Sequence, residues 1–297
     1  MFTSWAYTCR MNTPRLLVAE GNTPEGRARQ IAAGGKPASD GYAKLLRELW
    51  PEAAIDICFP ADPGANLPDA GLESYDGVAI TGSALHVYDG GPSIEPQIEL
   101  VRSAYRAKTP IFGSCWGLQV ATVAAGGAVH KNPRGREIGF GRRIRLTEAG
   151  MSHPLFKDKP TVFEALTVHL DEVATLPLKG KVLAMNDHSG VQAAEIEYEG
   201  GIAWGVQYHP EYEFKDISAI LKRLNGALVT EGFFASNEDA TLYIRDVDTL
   251  AKDPANRRLG WRHGLDSAIT QRDLRIQELR NWIEMKVKPT RSVRGRA

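Results

Sequence analysis

Residues 110–119 read PIFGSCWGLQ and residues 205–211 read GVQYHPE, and these two stretches together decide the fold. In the first, a short apolar run meets glycine and Cys115, then continues as WGLQVATVAAGG, a helix-like run closed by glycines. A strand that turns this sharply into a helix is the start of a βα unit, and the residue at the turn projects from the sheet's carboxyl edge. In the second, a strand-like run ends in His209-Pro210-Glu211, with Pro210 fixing φ and stiffening the turn. A cysteine at one such turn, with a histidine and a carboxylate at another, supplies a nucleophile, its base and the group that orients the base.

Outward from that turn, strand and helix signals alternate. RLLVAE (15–20), IDICFP (55–60), YDGVAIT (75–81) and PIFGS (110–114) read as strands. DGYAKLLRELW (40–50) has helical apolar spacing and is stopped by Pro51, and IEPQIELVRSAYRA (94–107) places Ile94, Ile98, Val101 and Tyr105 on one helical face. Strands separated by helices of this length predict βαβ units and a mostly parallel sheet. The pattern then changes. IGFGRRIRL (138–146), TVFEAL (161–166), KVLAMN (181–186), VQAAEIEY (191–198) and GIAWGVQY (201–208) are strand-like with few helices between them, which predicts antiparallel strands at one edge. FKDISAILKRLNGALV (214–229) reads as a helix after the HPE stretch. Residues 231–297 form a more charged, helical block, in which LDSAITQRDLRIQELRNWIEM (265–285) sets Leu265, Ile269, Ile276, Leu279 and Ile283 on one stripe. The expectation is an α/β domain over residues 14–230, with a helical extension over 231–297 packed on it or used as an interface.

The 297 residues are 43% hydrophobic and 24% charged, an ordinary globular balance. Thirty-six basic and 36 acidic residues cancel, which favours neither nucleic acid nor an anionic membrane as partner. No apolar stretch approaches the ~20 residues that span a bilayer, and the first residues lack a basic start followed by an apolar run, so a cytoplasmic location is expected. Met11 is the more natural lead into the first strand, leaving residues 1–10 as an upstream extension. The basic end KVKPTRSVRGRA (286–297) reads as a solvated, frayed tail. Cys9, Cys58 and Cys115 are scattered, which argues against a disulfide framework. The seven histidines show no H-x-x-x-H spacing, and no C-x-x-C, P-loop or G-x-G-x-x-G pattern is present, so neither metal nor cofactor is expected.

Cys115 has the sequence surroundings of a nucleophile. A thiol attacks a carbonyl well only as thiolate, and a helix amino end helps by its partial positive charge and free N–H groups. Gly113 and Gly117 stand two residues either side, and small residues there permit the tight turn. The N–H of Trp116 is then placed for an oxyanion. A second donor is expected from TGSALHVYDGG (81–91), through the backbone of Gly82 or Ser83. His209 is the expected base and acid, and Glu211 the residue that holds its tautomer.

With GSCWGLQ around Cys115, TGSALHVYD after the preceding strand, TVHLDEV at 167–173 and VQYHPE at 206–211, the chain resembles the class I glutamine amidotransferases, most of all free-standing relatives of the GMP synthetase amidotransferase domain. The resemblance covers roughly residues 14–230. It implies a flavodoxin-like sheet with helices on both faces, and a reaction in which Cys115 attacks the γ-carboxamide of glutamine, releases ammonia and leaves a γ-glutamyl thioester for water to hydrolyse. It also implies substrate contacts from Gln119, His169 and Asp171. Two positions depart from the pattern: Leu170 and Ser83 stand where relatives commonly have glycine, which opens γ-glutamyl amides and γ-glutamyl peptides as substrates. GLDSAIT (264–270) lacks the paired glycines of an ATP-pyrophosphatase loop. Ammonia would then pass to a separate synthetase subunit, or the enzyme works alone as a hydrolase. A homodimer and an inactive regulatory module on the same scaffold are the remaining alternatives.

Overall fold

The computed structural model describes residues 13–65 and 71–295, so the reading of residues 1–10 lies outside the described residues. A nine-stranded sheet runs in the order β2-β1-β3-β4-β11-β10-β9-β6-β7. Its parallel half consists of β1 (Arg15–Ala19), β2 (Ala54–Cys58), β3 (Gly77–Ile80), β4 (Ile111–Ser114) and β11 (Gly201–Val206). Crossing helices join two pairs of these: α1 (Pro24–Ala32) and α2 (Ala38–Leu49) lie between β1 and β2, and α3 (Glu95–Arg106) between β3 and β4. The helix α4 (Trp116–Ala124) follows β4.

The central strands alternate between two apolar layers, as a period of two requires. In β1, Leu16 and Val18 join one cluster with Tyr42, Leu46 and Trp282, while Leu17 and Ala19 join another with Ile98, Val101 and Leu118. Both faces are therefore covered, which is why β1, β3 and β4 read as continuous apolar runs. Beyond β11 the sheet turns antiparallel through β10 (Ala193–Tyr198), β9 (Gly180–Met185), β6 (Glu137–Leu146) and β7 (Val162–His169). The β10–β11 hairpin turns on Glu199 and Gly200, both at positive φ (48° and 79°), the primed turn that suits strand twist. A two-stranded ribbon, β5 (Ala128–Lys131) with β8 (Asp171–Thr175), lies apart from the main sheet.

The expected α/β architecture with antiparallel edge strands and C-terminal helices is present. A third apolar cluster joins Phe140 and Leu166 of the antiparallel half to α5 (Phe214–Thr230) and α6 (Asn237–Lys252). The stretch 265–285 departs from one continuous helix. Gln271 takes extended backbone (φ −95°, ψ 116°), which divides the stretch into helical turns at Ser267–Thr270 and Arg272–Arg275 and a helix, α7 (Gln277–Trp282). The apolar stripe divides with it. Ile269 enters the cluster with α5 and α6, while Ile276, Leu279 and Ile283 enter the cluster behind β1 and β4. Trp282 is fully buried there against Phe112, ring centroids 5.8 Å apart.

The basic end is docked up to Arg294. Arg294 donates to the carbonyls of Tyr75 and Glu73, and buried Arg291 lies 3.4 Å from Asp76. Backbone carbonyls and a buried carboxylate just before β3 give these cations partners that composition alone does not reveal. Among the described residues, no helix is long and apolar enough to cross a membrane.

Candidate active site

The carboxyl ends of β3, β4 and β11 lie side by side, and that adjacency gathers residues far apart in sequence. Ser114 pairs in register with Val206, and Ile80 with Gly113. The three chains leaving the sheet here carry Gly82 and Ser83, Cys115, and His209 with Glu211. Ligands of open α/β sheets bind at these ends.

Cys115 sits at φ 52°, ψ −102°, a conformation that costs a non-glycine residue about 1–3 kcal/mol. Three contacts hold it. Its N–H donates to the carbonyl of Val206 at 2.7 Å, and the positions two residues either side cannot carry side chains. A Cβ on Gly113 would lie 2.3 Å from the backbone of Gly117, and one on Gly117 would lie 2.6 Å from the carbonyl of Ile80. The Cys115 N–H is thus taken, whereas Trp116 opens α4, where N–H groups have no intrahelical acceptor. The thiol points toward the end of β7, Sγ lying 3.5 Å from the carbonyl of Val168.

His209 is buried, with Nδ1 2.7 Å from Glu211 Oε1. The other carboxylate oxygen of Glu211 accepts from Ser114 Oγ at 2.9 Å. Tyr42 hydrogen-bonds Ser114 in turn, and because the serine proton is committed to Glu211, the tyrosine donates. Burial and the charge of Glu211 raise the Tyr42 pKa well above its ordinary value, so that donor stays protonated. The Tyr212 ring lies parallel to the His209 imidazole at 3.9 Å. Burial alone lowers the pKa of His209, but the charge of Glu211, the neighbouring Cys115 and the hydrogen bond to Glu211 overcome it, taking it from 6.5 to about 10. Nε2 of His209 has no hydrogen-bond partner among the described residues.

The Gly82–Ser83 peptide is fixed from its carbonyl side. Gly82 O accepts from Thr81 Oγ1 at 3.0 Å and from Asn22 Nδ2 at 3.2 Å. In a trans peptide the following N–H points the opposite way. A Cβ on Gly82 would lie 2.5 Å from the His209 ring, so this turn approaches the imidazole closely.

Cys115, Gly82, Ser83, Gln119, His169, Asp171, His209 and Glu211 all line one cavity of about 410 Å³; Trp116 does not line it, and its indole N–H donates to Gln97 at 2.7 Å. The Gln119 amide spans the carbonyl of Asp171 and the side chain of Gln207, each at 3.3 Å. His169 has both ring nitrogens engaged, with Glu137 at 2.8 Å and the Asp171 carbonyl at 2.9 Å. Burial raises the pKa of Glu137, yet His169, Asn186 and Gln192 hold it below the ordinary carboxylate value. Asp171 meets His86 Nδ1 at 2.6 Å and accepts from Tyr88 at 3.1 Å. These bonds leave the side chains of His169 and Asp171 as braces of the cavity wall. Ser83 and Leu170, the two departures from the sequence pattern, both line it. Sequence reasoning missed Ser114, Tyr42, Asn22 and Tyr212. Only Ser114 and Tyr212 had a signal, each standing next to an expected site residue.

A family model described as glutamine amidotransferase class-I matches residues 57–223. The chain belongs to that family. Among relatives, a γ-glutamyl-L-1-hydroxyisopropylamide hydrolase of a Pseudomonas species is 33% identical, spanning 94% of this chain and 95% of its own. γ-Glutamyl peptidase 5 of Arabidopsis thaliana is 28% identical over 61% of this chain and 71% of its own. In three dimensions, a glutamine amidotransferase from Thermotoga maritima superposes over 93% of this class I amidotransferase chain and 99% of its own, with a TM-score of 0.59 at 19% identity, a likeness of fold.

Proposed function

We propose that this amidotransferase-family chain is a hydrolase of γ-glutamyl amide bonds, with Cys115, His209 and Glu211 as its triad. The observation that carries the reading is the elbow itself. A strained, glycine-flanked cysteine shares a cavity with a buried histidine whose one nitrogen is clamped by Glu211 and whose other has no partner among the described residues, free to serve the thiol. Glu211 keeps the proton of Nδ1 in place, so Nε2 exchanges protons with sulfur. Cys115 Sγ attacks the γ-carbonyl while the N–H groups of Trp116 and Ser83 receive the oxyanion. Collapse breaks the C–N bond, His209 gives its proton to the leaving amine, and a γ-glutamyl thioester remains. Water, deprotonated by His209, then releases glutamate and restores the thiol. Gln119, His169 and Asp171 shape the wall against which the glutamyl group rests.

The long relative that hydrolyses a γ-glutamyl amide favours an amide or peptide substrate over free glutamine, because its similarity continues through the C-terminal segment. Residues 14–230 are accordingly assigned to the amidotransferase domain, and 231–297 to an extension integrated with it. Steady-state hydrolysis of γ-glutamyl ethylamide, γ-glutamyl dipeptides and glutamine tests the assignment, with Cys115→Ala as control. A kcat/KM for glutamine above the others, rising further on addition of a synthetase, would return the enzyme to ammonia supply. Turnover by Cys115→Ala at the wild-type rate would remove the triad.

A further inference from the structure

The same cavity is unevenly charged. Five cationic side chains line it: Arg27, Arg29, Lys36, Arg136 and Arg223. Arg27 is bound by Asp62 at 2.7 Å, and Arg136 by both oxygens of Glu231 at 2.9 Å. Arg29, Lys36 and Arg223 have no ion-pair partner among the described residues. The acids lining the cavity are committed elsewhere. Glu211 serves His209 and Ser114, Asp171 serves His86 and Tyr88, and Asp216 caps α5 by accepting from the Glu213 N–H at 2.9 Å. Arg223 is half-buried, and its buried Nε lacks a hydrogen-bond partner among the described residues. Burial lowers its pKa, and repulsion from Arg29 and Arg136 adds to the effect.

These unpaired cations belong to α1, the loop after it and α5, elements that pack on one another. The glutamyl half of any γ-glutamyl amide brings one ammonium and one carboxylate. Lys36 already feels the charge of Asp216 in the same cavity, so a single substrate carboxylate still leaves one of Arg29 and Arg223 without a counter-charge. We infer that the cavity wall formed by Arg29, Lys36 and Arg223 binds a carboxylate carried by the leaving amine, so that the preferred substrates are γ-glutamyl amino acids and peptides rather than γ-glutamyl alkylamides. The inference rests on the γ-glutamyl hydrolase reading above and narrows its substrate class. Guanidinium groups suit the task because they meet a carboxylate with two parallel donors.

The test compares γ-glutamylglycine with γ-glutamylglycinamide, which differ in the charge of the leaving group and in the basicity of its amine, and uses γ-glutamyl ethylamide to report the chemistry itself; the change of the ratio between wild type and variants cancels the basicity difference. The readout is the ratio of kcat/KM for the acid to that for the amide. In the wild-type protein the ratio is expected at about tenfold or more, the scale of one charge-assisted hydrogen bond. It is expected to fall toward one in Arg223→Met and in the exposed variant Arg29→Met, to persist in part in Arg223→Lys, and to shrink as salt is raised. A wild-type ratio near one, or an equal loss on acid and amide in the variants, overturns the inference while leaving the hydrolase reading intact. Absence of turnover on all three substrates overturns both.

Discussion

Replacing Glu211 by glutamine changes one charge at nearly constant volume and isolates the role assigned to it. His209 is fully buried, and burial by itself favours the neutral ring. The charge of Glu211 leads the effects that carry its pKa from 6.5 to about 10. The difference between those values corresponds to roughly 5 kcal/mol favouring the imidazolium. Without the carboxylate charge the leading upward influence is gone and burial pulls the pKa down, so a smaller share of molecules holds the proton that the leaving amine needs. The amide also presents Nδ1 with a group that tolerates the wrong tautomer. We expect kcat to fall by about 10³–10⁴ with KM changed little, as for other triads deprived of their acid. The assay is amine release from γ-glutamyl ethylamide between pH 5.5 and 9.5, paired with ¹⁵N-histidine NMR. The sign of the stability effect follows. A histidine pKa raised by folding stabilises fully below 6.5, and that contribution is lost as pH rises through about 10. Wild-type urea stability should therefore decline as pH approaches 10, and this decline should vanish in Glu211→Gln. A variant within tenfold of wild-type kcat at pH 7.5, or a wild-type ring already neutral at pH 8, would refute the reasoning.

Three further outcomes are expected. Cys115→Gly should be more stable than Cys115→Ala by about 1–2 kcal/mol in urea titrations, reversing the usual order, because only glycine relaxes at φ 52°; equal stabilities would show that the elbow stores no strain. Trp282→Ala should cost about 3–5 kcal/mol, since the ring is fully buried against Phe112 on the strand that leads to Cys115; a loss under 1 kcal/mol would mean that the C-terminal segment does not hold the sheet. Glu278→Leu should cost about 3–5 kcal/mol, because it strands Lys159, which lies 2.6 Å away and is also buried, and removes the acceptor of Tyr208. The double variant Lys159→Met with Glu278→Leu should recover most of that loss, and strict additivity of the two single effects would contradict it.

The parallel half of the sheet was legible because β1, β3 and β4 are buried on both faces and so appear as unbroken apolar runs between helices. The nucleophile turn was legible for a related reason: only glycine fits at 113 and 117 when the carbonyl of Ile80 and the backbone of the elbow approach so closely. α1 escaped notice since PEGRARQIA has almost no apolar face, and what positions it is packing against α5. The stretch 265–285 misled in the opposite way. Its apolar residues recur at helical spacing, but Ile269 and Ile276 reach different cores across an extended Gln271. The docking of Arg291 and Arg294 depends on backbone carbonyls and a buried carboxylate some 200 residues earlier in the chain, which no local pattern encodes. His169 and Asp171 were found by resemblance, but their hydrogen bonds to Glu137, His86 and Tyr88 arise from tertiary pairing.

The account stands most directly on the covalent bond assigned to Cys115. Acid quenching during turnover of γ-glutamyl ethylamide, followed by peptide mass spectrometry, should find the peptide that contains Cys115 carrying one γ-glutamyl group. Recovery of that peptide unmodified while glutamate accumulates, with the acyl group on another side chain, would contradict it.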